Sequence, residues 1–249
     1  MPYLDNGDVR IHYKDEGSGP PLLIIPGGGL NGSMENMEET DFNPITEFSG
    51  DYRCISLDIR NGSGETTGPL DAERAWDQFA DDQLALLDHL GIGDFLLMGF
   101  CIGGPLNWNL MRRVPDRVKA AVMVHPSAYN PDDPDVFWKL NINAWGKAVQ
   151  ERNPSADQAQ VEAFLTNMYY GRGDFLFTVD RDYVSKCDTP ILMLPDDIPA
   201  HPYKTAMEWA LLAPNAQISL FPWRGDQVRV KAVLRHVSQF LAANKGAVA

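Results

Sequence analysis

The sequence predicts an α/β protein in which helices cover both faces of a mostly parallel β-sheet. Short apolar runs alternate with stretches of helical periodicity along most of the 249 residues, as expected for βαβ units. The apolar runs are continuous, which is typical of strands that are buried on both faces. Hydrophobic residues form 44% of the chain and charged residues 22%, close to the average for globular proteins. The chain therefore has enough apolar material for a sizeable core.

The first half of the chain is predicted to supply a hairpin and four buried strands. PYLD and VRIHY flank Asn6-Gly7, a favoured two-residue hairpin turn. Apolar residues at helical spacing predict a helix over 74–90 that ends at Gly91, and 103–113 suits a second helix. The buried strands are predicted at LLIIP (22–26), RCISLDI (53–59), FLLMGF (95–100) and VKAAVMV (118–124).

The alternation of strands and helices is interrupted between residues 126 and 188. Ser155 and Gln158 predict a helical capping box, followed by an apolar helical face. We therefore predict one domain over 1–249, with residues 126–188 inserted as a helical cap. Beyond this segment the pattern resumes with PILMLP (190–195), a helix near 202–213, QISLF (217–221) and a helix near 227–243.

Charge and hydropathy restrict the partners of the protein. The formal net charge of −13 argues against nucleic acids, which need clustered Lys and Arg, and against anionic membranes. The chain has no run of about 18 apolar residues, and its N-terminus lacks the basic-then-apolar pattern of a signal peptide. The expected partner is a small-molecule substrate. The sequence leaves the oligomeric state open, with a homo-oligomer among the options.

The cysteine pattern predicts free thiols. Cys54, Cys101 and Cys187 occur without a C-x-x-C spacing or a neighbouring pair of histidines, so they predict neither a disulfide framework nor a metal cluster. Cys54 and Cys187 lie within or beside strand patterns, where a packing role is favoured. Free cysteines favour a reducing cytoplasm. We expect no metal and no organic cofactor.

The main chemical signal is the segment Gly99-Phe100-Cys101-Ile102-Gly103, which joins a buried strand to a helix. This is the G-x-nucleophile-x-G elbow, with Cys in place of Ser. Small residues on either side let the strand and the helix approach each other. The helix N-terminus stabilises a thiolate, and the Ile102 N–H can face a developing oxyanion. The alternative is a small cysteine buried at a tight turn.

The whole chain resembles cap-bearing α/β hydrolases, and four segments carry the resemblance. They are PGGGLNGS, SLDIRNGSGETTG, GFCIGG and LPDDIPAHP. The resemblance implies an eight-stranded sheet with a cap after the sixth strand. It also implies that the Gly28 N–H joins the Ile102 N–H in an oxyanion hole. A cysteine nucleophile is a minority variant of this fold, as in dienelactone hydrolases.

The chain departs from the family pattern at the catalytic base, which the family places just after the last strand. The corresponding segment, FPWRGDQVRVKAVLRH, has only His236, well inside the final helix. Two other histidines are candidates. His125 follows the strand beside the elbow strand, and His201 follows the predicted carboxylate loop. We favour His201 with Asp197 as the orienting acid, and Asp196 stays open for that role. The alternative roles are backbone hydrogen bonds for the histidines and helix capping for the carboxylates.

These features predict a hydrolase that cleaves a small ester, lactone or related acyl compound through a covalent thioester at Cys101. A non-hydrolytic ligand-binding protein on the same fold is the main alternative, and a cofactor-free lyase or oxygenase is another. Arg60 lies near the expected site, where it would bind a substrate oxygen or form a salt bridge with Asp58. The candidates for lining a pocket under the cap are Phe137, Trp138, Trp145, Phe164, Met168, Tyr169, Tyr170, Phe175 and Phe177.

Overall fold

The computed structural model describes residues 1–152, 156–171 and 174–248. These residues form one eight-stranded sheet in the order β1-β2-β4-β3-β5-β6-β7-β8. The strands are β1 (Tyr3–Asn6), β2 (Val9–Glu16), β3 (Pro21–Ile25), β4 (Arg53–Leu57), β5 (Phe95–Phe100), β6 (Val118–Val124), β7 (Ile191–Leu194) and β8 (Ala216–Ile218). The α-helices are α1 (Pro44–Phe48), α2 (Asp77–His89), α3 (Gly103–Arg113), α4 (Val136–Asn143), α5 (Trp145–Arg152), α6 (Gln158–Tyr170), α7 (Arg181–Ser185), α8 (Tyr203–Leu212) and α9 (Gln227–Asn244).

The strand pairing confirms the predicted fold class. β1 and β2 form an antiparallel hairpin, and β2 also pairs antiparallel with β4. The pairings from β4 through β3, β5, β6 and β7 to β8 are all parallel. Gly7 has a φ of 61° at the hairpin turn, a left-handed conformation that glycine adopts without a Cβ clash.

Each central strand is buried on both faces, which explains its continuous apolar sequence. In β3, Leu22 and Ile24 pack with α1 and α9 on one side of the sheet. Leu23 and Ile25 face the opposite side and pack with α2, α3 and the helices that follow β6. Because successive side chains of a strand point to opposite faces, every position of these strands meets a hydrophobic layer.

The described part of the segment between β6 and β7 consists of helices α4 to α7 and adds no strand to the sheet. The indole N–H of Trp145 donates to the Asn61 carbonyl oxygen at 3.0 Å. Trp76, next to α2, donates to the Met168 carbonyl oxygen at 2.7 Å. These hydrogen bonds hold the helices on the edge of the sheet where the parallel strands end. No helix in the described ranges is both long and apolar enough to cross a bilayer.

Several sequence predictions need correction at their boundaries, and the strand predicted over 217–221 is observed as the shorter β8 (Ala216–Ile218). The capping box of α6 uses Asp157 and Gln160, two residues beyond the predicted pair, and Ser155 lies outside the described residues. β4 ends at Leu57 because the next side chain, Asp58, accepts hydrogen bonds from loop N–H groups instead of continuing the strand. The helix predicted from residue 74 begins at Asp77.

Candidate active site

The turn between β5 and α3 has the geometry of a nucleophile elbow. Cys101 has a φ of 52°, a strained conformation for a residue with a side chain. A Cβ atom on Gly99 would overlap the Gly103 carbonyl oxygen and lie 2.6 Å from Asn107 Oδ1. A Cβ on Gly103 would lie 3.2 Å from the Ile25 carbonyl oxygen. The two glycines therefore let the helix approach the strands closely enough to present the thiol at the end of β5.

Ser127 contacts the thiol and was not among the residues that the sequence predicted for the site. Its Oγ lies 3.2 Å from Cys101 Sγ, and its N–H donates to the Cys101 carbonyl oxygen at 2.9 Å. Ser127 is buried three residues beyond the end of β6. Because β5 and β6 are parallel neighbours, their following residues meet at the same edge. The signal in the sequence was a hydroxyl residue three positions after the strand beside the elbow.

His201 reaches the thiol from the loop between β7 and α8. Its Nδ1 lies 2.9 Å from Asp196 Oδ2, and Arg224 donates to the same carboxylate oxygen at 2.8 Å. The prediction that Asp197 orients His201 is therefore wrong, and Asp196 takes that position. Neighbouring side chains of a non-helical segment point in different directions, so only one of the two carboxylates meets the ring. Asp197 contributes through its backbone, which hydrogen bonds to the Asp196 carboxylate.

The surroundings of the site favour a thiolate beside an imidazolium. Burial raises the pKa of Cys101, but hydrogen bonds and charge from His201, with hydrogen bonds from Ser127 and the Gly29 N–H, lower it to about 7. Burial lowers the pKa of His201, but Asp196 and Cys101 raise it to about 9. The pair is thus ionised between about pH 7 and pH 9. Among the described residues, the buried His201 Nε2 makes no hydrogen bond of good geometry, with Cys101 or with any other group, so this atom is available to the thiol or to a reacting group.

Asp196 is the charged support of the imidazolium. Burial raises the pKa of its carboxyl group, but hydrogen bonds from His201 and Arg224 outweigh burial and hold the pKa well below the usual range. Arg224 also donates to Asp41 at 2.8 Å. Arg224 lies in the segment after β8, where the family pattern has its histidine. The next carboxylate in that segment, Asp226, accepts from Val228 N–H and caps α9.

His125, the alternative base, lies beside His201 rather than in hydrogen-bond contact with Cys101. Its ring centroid is 4.8 Å from that of His201 and 6.2 Å from that of Trp223, with which it stacks. Burial, followed by the charges of His201 and Arg224, lowers the pKa of His125 well below its usual value. Its Nδ1 has no hydrogen-bond partner within the described residues. His125 is therefore neutral at the pH where His201 is charged.

The glycine loop after β3 lies against the elbow. A Cβ on Gly27 would be 3.5 Å from Cys101 Cβ, and Gly28 has a φ of 103°, which favours glycine. Ile102 is the N-cap of α3, so its N–H points from the start of the helix. The oxyanion hole formed by Gly28 and Ile102 stays a prediction.

The remaining candidates have structural partners. Arg60 forms a buried ion pair with Asp82, at 2.8 and 2.5 Å, so its predicted salt bridge with Asp58 is wrong. Asp58 instead hydrogen bonds to His12 Nδ1 at 2.6 Å. His236, in α9, lies 3.1 Å from Ser219 Oγ. No group of three or more His, Cys, Asp or Glu side chains in the described parts of the chain is arranged to hold a metal ion.

Comparison with known proteins places these features in a family. A family model described as the alpha/beta hydrolase fold matches residues 20–240. Bifunctional epoxide hydrolase 2 from Mus musculus is 26% identical over 165 residues, which are 65% of this chain and 28% of that protein. Haloalkane dehalogenase 2 from Mycobacterium tuberculosis is 30% identical over 121 residues, which are 49% of this chain and 40% of that protein. The matched regions thus span less than half of these relatives.

Solved structures share the fold over nearly the whole chain. The enol-lactonase from Burkholderia xenovorans superposes with a TM-score of 0.68 at 19% identity, and the match covers 97% of this chain and 100% of that one. This likeness concerns the fold alone, whereas the family model also matches the sequence over most of its length. The chain therefore belongs to the alpha/beta hydrolase fold family.

Proposed function

We propose that the protein is a hydrolase of small esters, lactones or related acyl compounds that forms a covalent thioester at Cys101. The observation that carries the proposal is the arrangement of Cys101, His201 and Asp196 at one edge of the sheet. The thiol sits on a strained elbow, its pKa is lowered to about 7, and the imidazole beside it is held by a carboxylate. This is the relationship of nucleophile, base and orienting acid that acyl transfer requires.

Acylation begins with attack of the Cys101 thiolate on the carbonyl carbon. The S–C bond forms while the carbonyl π pair moves to oxygen, where the Gly28 and Ile102 N–H groups would stabilise the charge. The pair then returns to re-form the carbonyl, and the bond to the leaving oxygen breaks. The His201 imidazolium gives its proton to that oxygen and becomes neutral, which completes the thioester.

Deacylation uses the neutral imidazole that acylation leaves behind. His201 takes a proton from water as the water oxygen attacks the thioester carbon. Collapse of the tetrahedral intermediate breaks the S–C bond, releases the acid and restores the thiolate beside the imidazolium. Because acylation needs both ions, its rate should be highest between about pH 7 and pH 9.

The ligand-binding alternative depended on the missing histidine after the last strand. His201, carried by the preceding βα loop, supplies an imidazole at Cys101 and thereby supports the hydrolase. We do not advance the lyase or oxygenase alternative, because no specific feature of the described residues favours it. One relative is named for epoxide hydrolysis and one protein of the same fold for a lactone, which agrees with a hydrolytic role.

A panel of aryl esters and lactones tests the proposal through product release and intact protein mass. Wild-type protein should gain the mass of the acyl group on the peptide that contains Cys101, and Cys101→Ala should show neither the adduct nor turnover. Cys187→Ala, at a buried thiol outside the site, is the matched control and should retain both. Turnover by Cys101→Ala, or an acyl group on another residue, would refute the thioester. Absence of turnover with the whole panel would favour the ligand-binding alternative.

A further inference from the structure

Tyr169 is a rigidly held, buried phenol in α6. Its ring stacks on Phe137 with centroids 5.4 Å apart. The edges of Phe177 and Trp76 contact it at centroid distances of 5.4 and 6.1 Å. Only 4% of Tyr169 is exposed. Aromatic contacts on three sides fix the direction of its hydroxyl group.

The hydrogen bonds of Asn141 determine the role of that hydroxyl. Asn141 Nδ2 lies 2.7 Å from the Phe137 carbonyl oxygen and 3.1 Å from Tyr169 Oη. A backbone carbonyl can only accept, so the amide nitrogen must face it, and the same nitrogen donates to the Tyr169 oxygen. The phenolic hydrogen must therefore point elsewhere, and no acceptor for it is found within the described residues. Leaving a buried donor unpaired is costly, so this hydrogen calls for an acceptor other than the described residues, and a bound substrate can supply one.

The pair lies beside the elbow, next to the glycine loop. Asn141 Oδ1 is 3.9 Å from the position of a Cβ on Gly29, and Gly27 of the same loop abuts Cys101. In the sheet order β3-β5-β6-β7, this loop and the His201 loop lie on opposite sides of Cys101. Burial, and then the Cys101 charge, raise the pKa of Tyr169 far above its usual value. The hydroxyl is thus within electrostatic reach of the thiolate and stays protonated.

We propose that the Tyr169 hydroxyl donates a hydrogen bond to the carbonyl oxygen of the acyl substrate as that oxygen becomes negative, with Asn141 as its positioning residue. This role rests on the proposed function. As the S–C bond forms, the carbonyl π pair moves to oxygen, and the phenol stabilises it without giving up its proton. A donor that is oriented before the reaction stabilises the developing charge without reorganisation. Tyr169 would then act with the backbone N–H groups of the elbow and the glycine loop.

The test compares Tyr169→Phe with Tyr170→Phe, a matched control in the same helix. Tyr170 is 45% exposed and its hydroxyl donates to Asp135 at 2.9 Å. Butyraldehyde is the probe, because addition of the thiolate forms an S–C bond and turns the aldehyde oxygen into a thiohemiacetal oxygen. Its binding is measured by protection of Cys101 from iodoacetamide. Butyramide, which forms no such adduct under these conditions, reports simple occupancy of the site.

We expect Tyr169→Phe to weaken protection by butyraldehyde about tenfold and to leave protection by butyramide within about twofold. Tyr170→Phe should match wild type with both probes. Asn141→Asp should resemble Tyr169→Phe, because a carboxylate would accept the phenolic hydrogen and withdraw it from the substrate. Unchanged butyraldehyde protection in Tyr169→Phe, or equal losses for both probes, would overturn the proposal.

An assay of ester hydrolysis distinguishes a failure of this inference from a failure of the proposed function. With an aryl ester of butyrate, Tyr169→Phe should lower kcat about tenfold with little change in KM, since the donor acts on charge that develops in the transition state. If wild-type protein hydrolyses none of the panel, the proposed function fails. The aldehyde experiment still decides the role of Tyr169, because thiohemiacetal formation requires no hydrolysis.

Discussion

Replacing His201 with Ala should move the titration of the Cys101 thiol by about two pH units. In the native protein, burial raises the thiol pKa, and His201 leads the interactions that lower it to about 7. Without His201, only the hydrogen bonds of Ser127 and the Gly29 N–H oppose burial, so we expect a pKa at or above the ordinary thiol value of 9.0. At pH 7 the thiolate fraction would then fall from about one half to about 1%, a factor of about 50.

The alkylation rate at pH 7 should fall less than the thiolate fraction. A more basic thiolate is a better nucleophile, and the logarithm of its rate constant rises by about 0.4 to 0.5 for each unit of pKa. Two units therefore recover about six- to tenfold in reactivity per thiolate. The net rate should fall about five- to eightfold, and the midpoint of the pH profile is the sharper measurement.

The assay follows iodoacetamide labelling of each cysteine peptide by mass spectrometry across the pH range that spans both midpoints. Cys54 is an internal reference, because burial followed by the charge of Glu16 raises its pKa to about 12. His236→Ala is the matched control, since this histidine contacts Ser219 on the far end of the sheet. If His201→Ala still titrates near the wild-type midpoint, His201 does not activate the thiol and the reasoning is refuted.

Three further sets of substitutions test neighbouring parts of the site. Ser127→Ala removes a donor to the thiolate, so the alkylation midpoint should rise, whereas Ser127→Thr should keep it near wild type. Asp196→Asn should shift the alkaline limb of the pH–rate profile for hydrolysis to lower pH, because a neutral amide does not stabilise the imidazolium. Asp197→Asn should leave that limb in place. In urea unfolding, Gly99→Ala should destabilise the fold by about 1–3 kcal/mol, because its Cβ would meet the α3 backbone. Gly93→Ala, which faces open space, should stay within about 0.5 kcal/mol. An unchanged alkylation midpoint in Ser127→Ala would contradict the role of Ser127. Equal shifts in the two Asp variants would contradict the role of Asp196, and equal stabilities of the two glycine variants would contradict the close packing at Gly99.

The strands and the elbow were predictable because their causes are local in the sequence. The apolar run of β3 follows from its burial on both faces. Gly99 and Gly103, one on each side of the turn that holds Cys101, must be small so that the helix can pack back along the strand. The hairpin was likewise predictable from its glycine, although the turn residues are Gly7-Asp8, one position beyond the predicted Asn6-Gly7, because Asn6 still pairs with Val9. Such features can be read from a window of ten residues or fewer.

The partners of the thiol were harder to predict because they depend on which strands are neighbours and on where each loop side chain points. Ser127 became a partner because β6 lies directly beside β5. The choice between Asp196 and Asp197 depends on the direction of each side chain, which their identical chemistry does not reveal. Tyr169 required the fold of the segment after β6, and its free hydrogen could be inferred only from the hydrogen bonds of Asn141.

The position of His201 agrees chemically with the proposed cysteine nucleophile. Asp196 is the leading favourable influence on the pKa of His201, which reaches about 9, so the imidazole is protonated at neutral pH. The Cys101 thiolate also contributes to this raised pKa, so the two charged groups stabilise each other. The thiol beside the imidazole has already lost its proton at a pKa of about 7, and the imidazolium then holds the proton that the leaving group needs. His201 and Asp196 lie on one loop, and Arg224, in the segment after β8, binds the same carboxylate. This arrangement favours an ion pair between His201 and Cys101, which agrees with the proposed role of cysteine as the nucleophile.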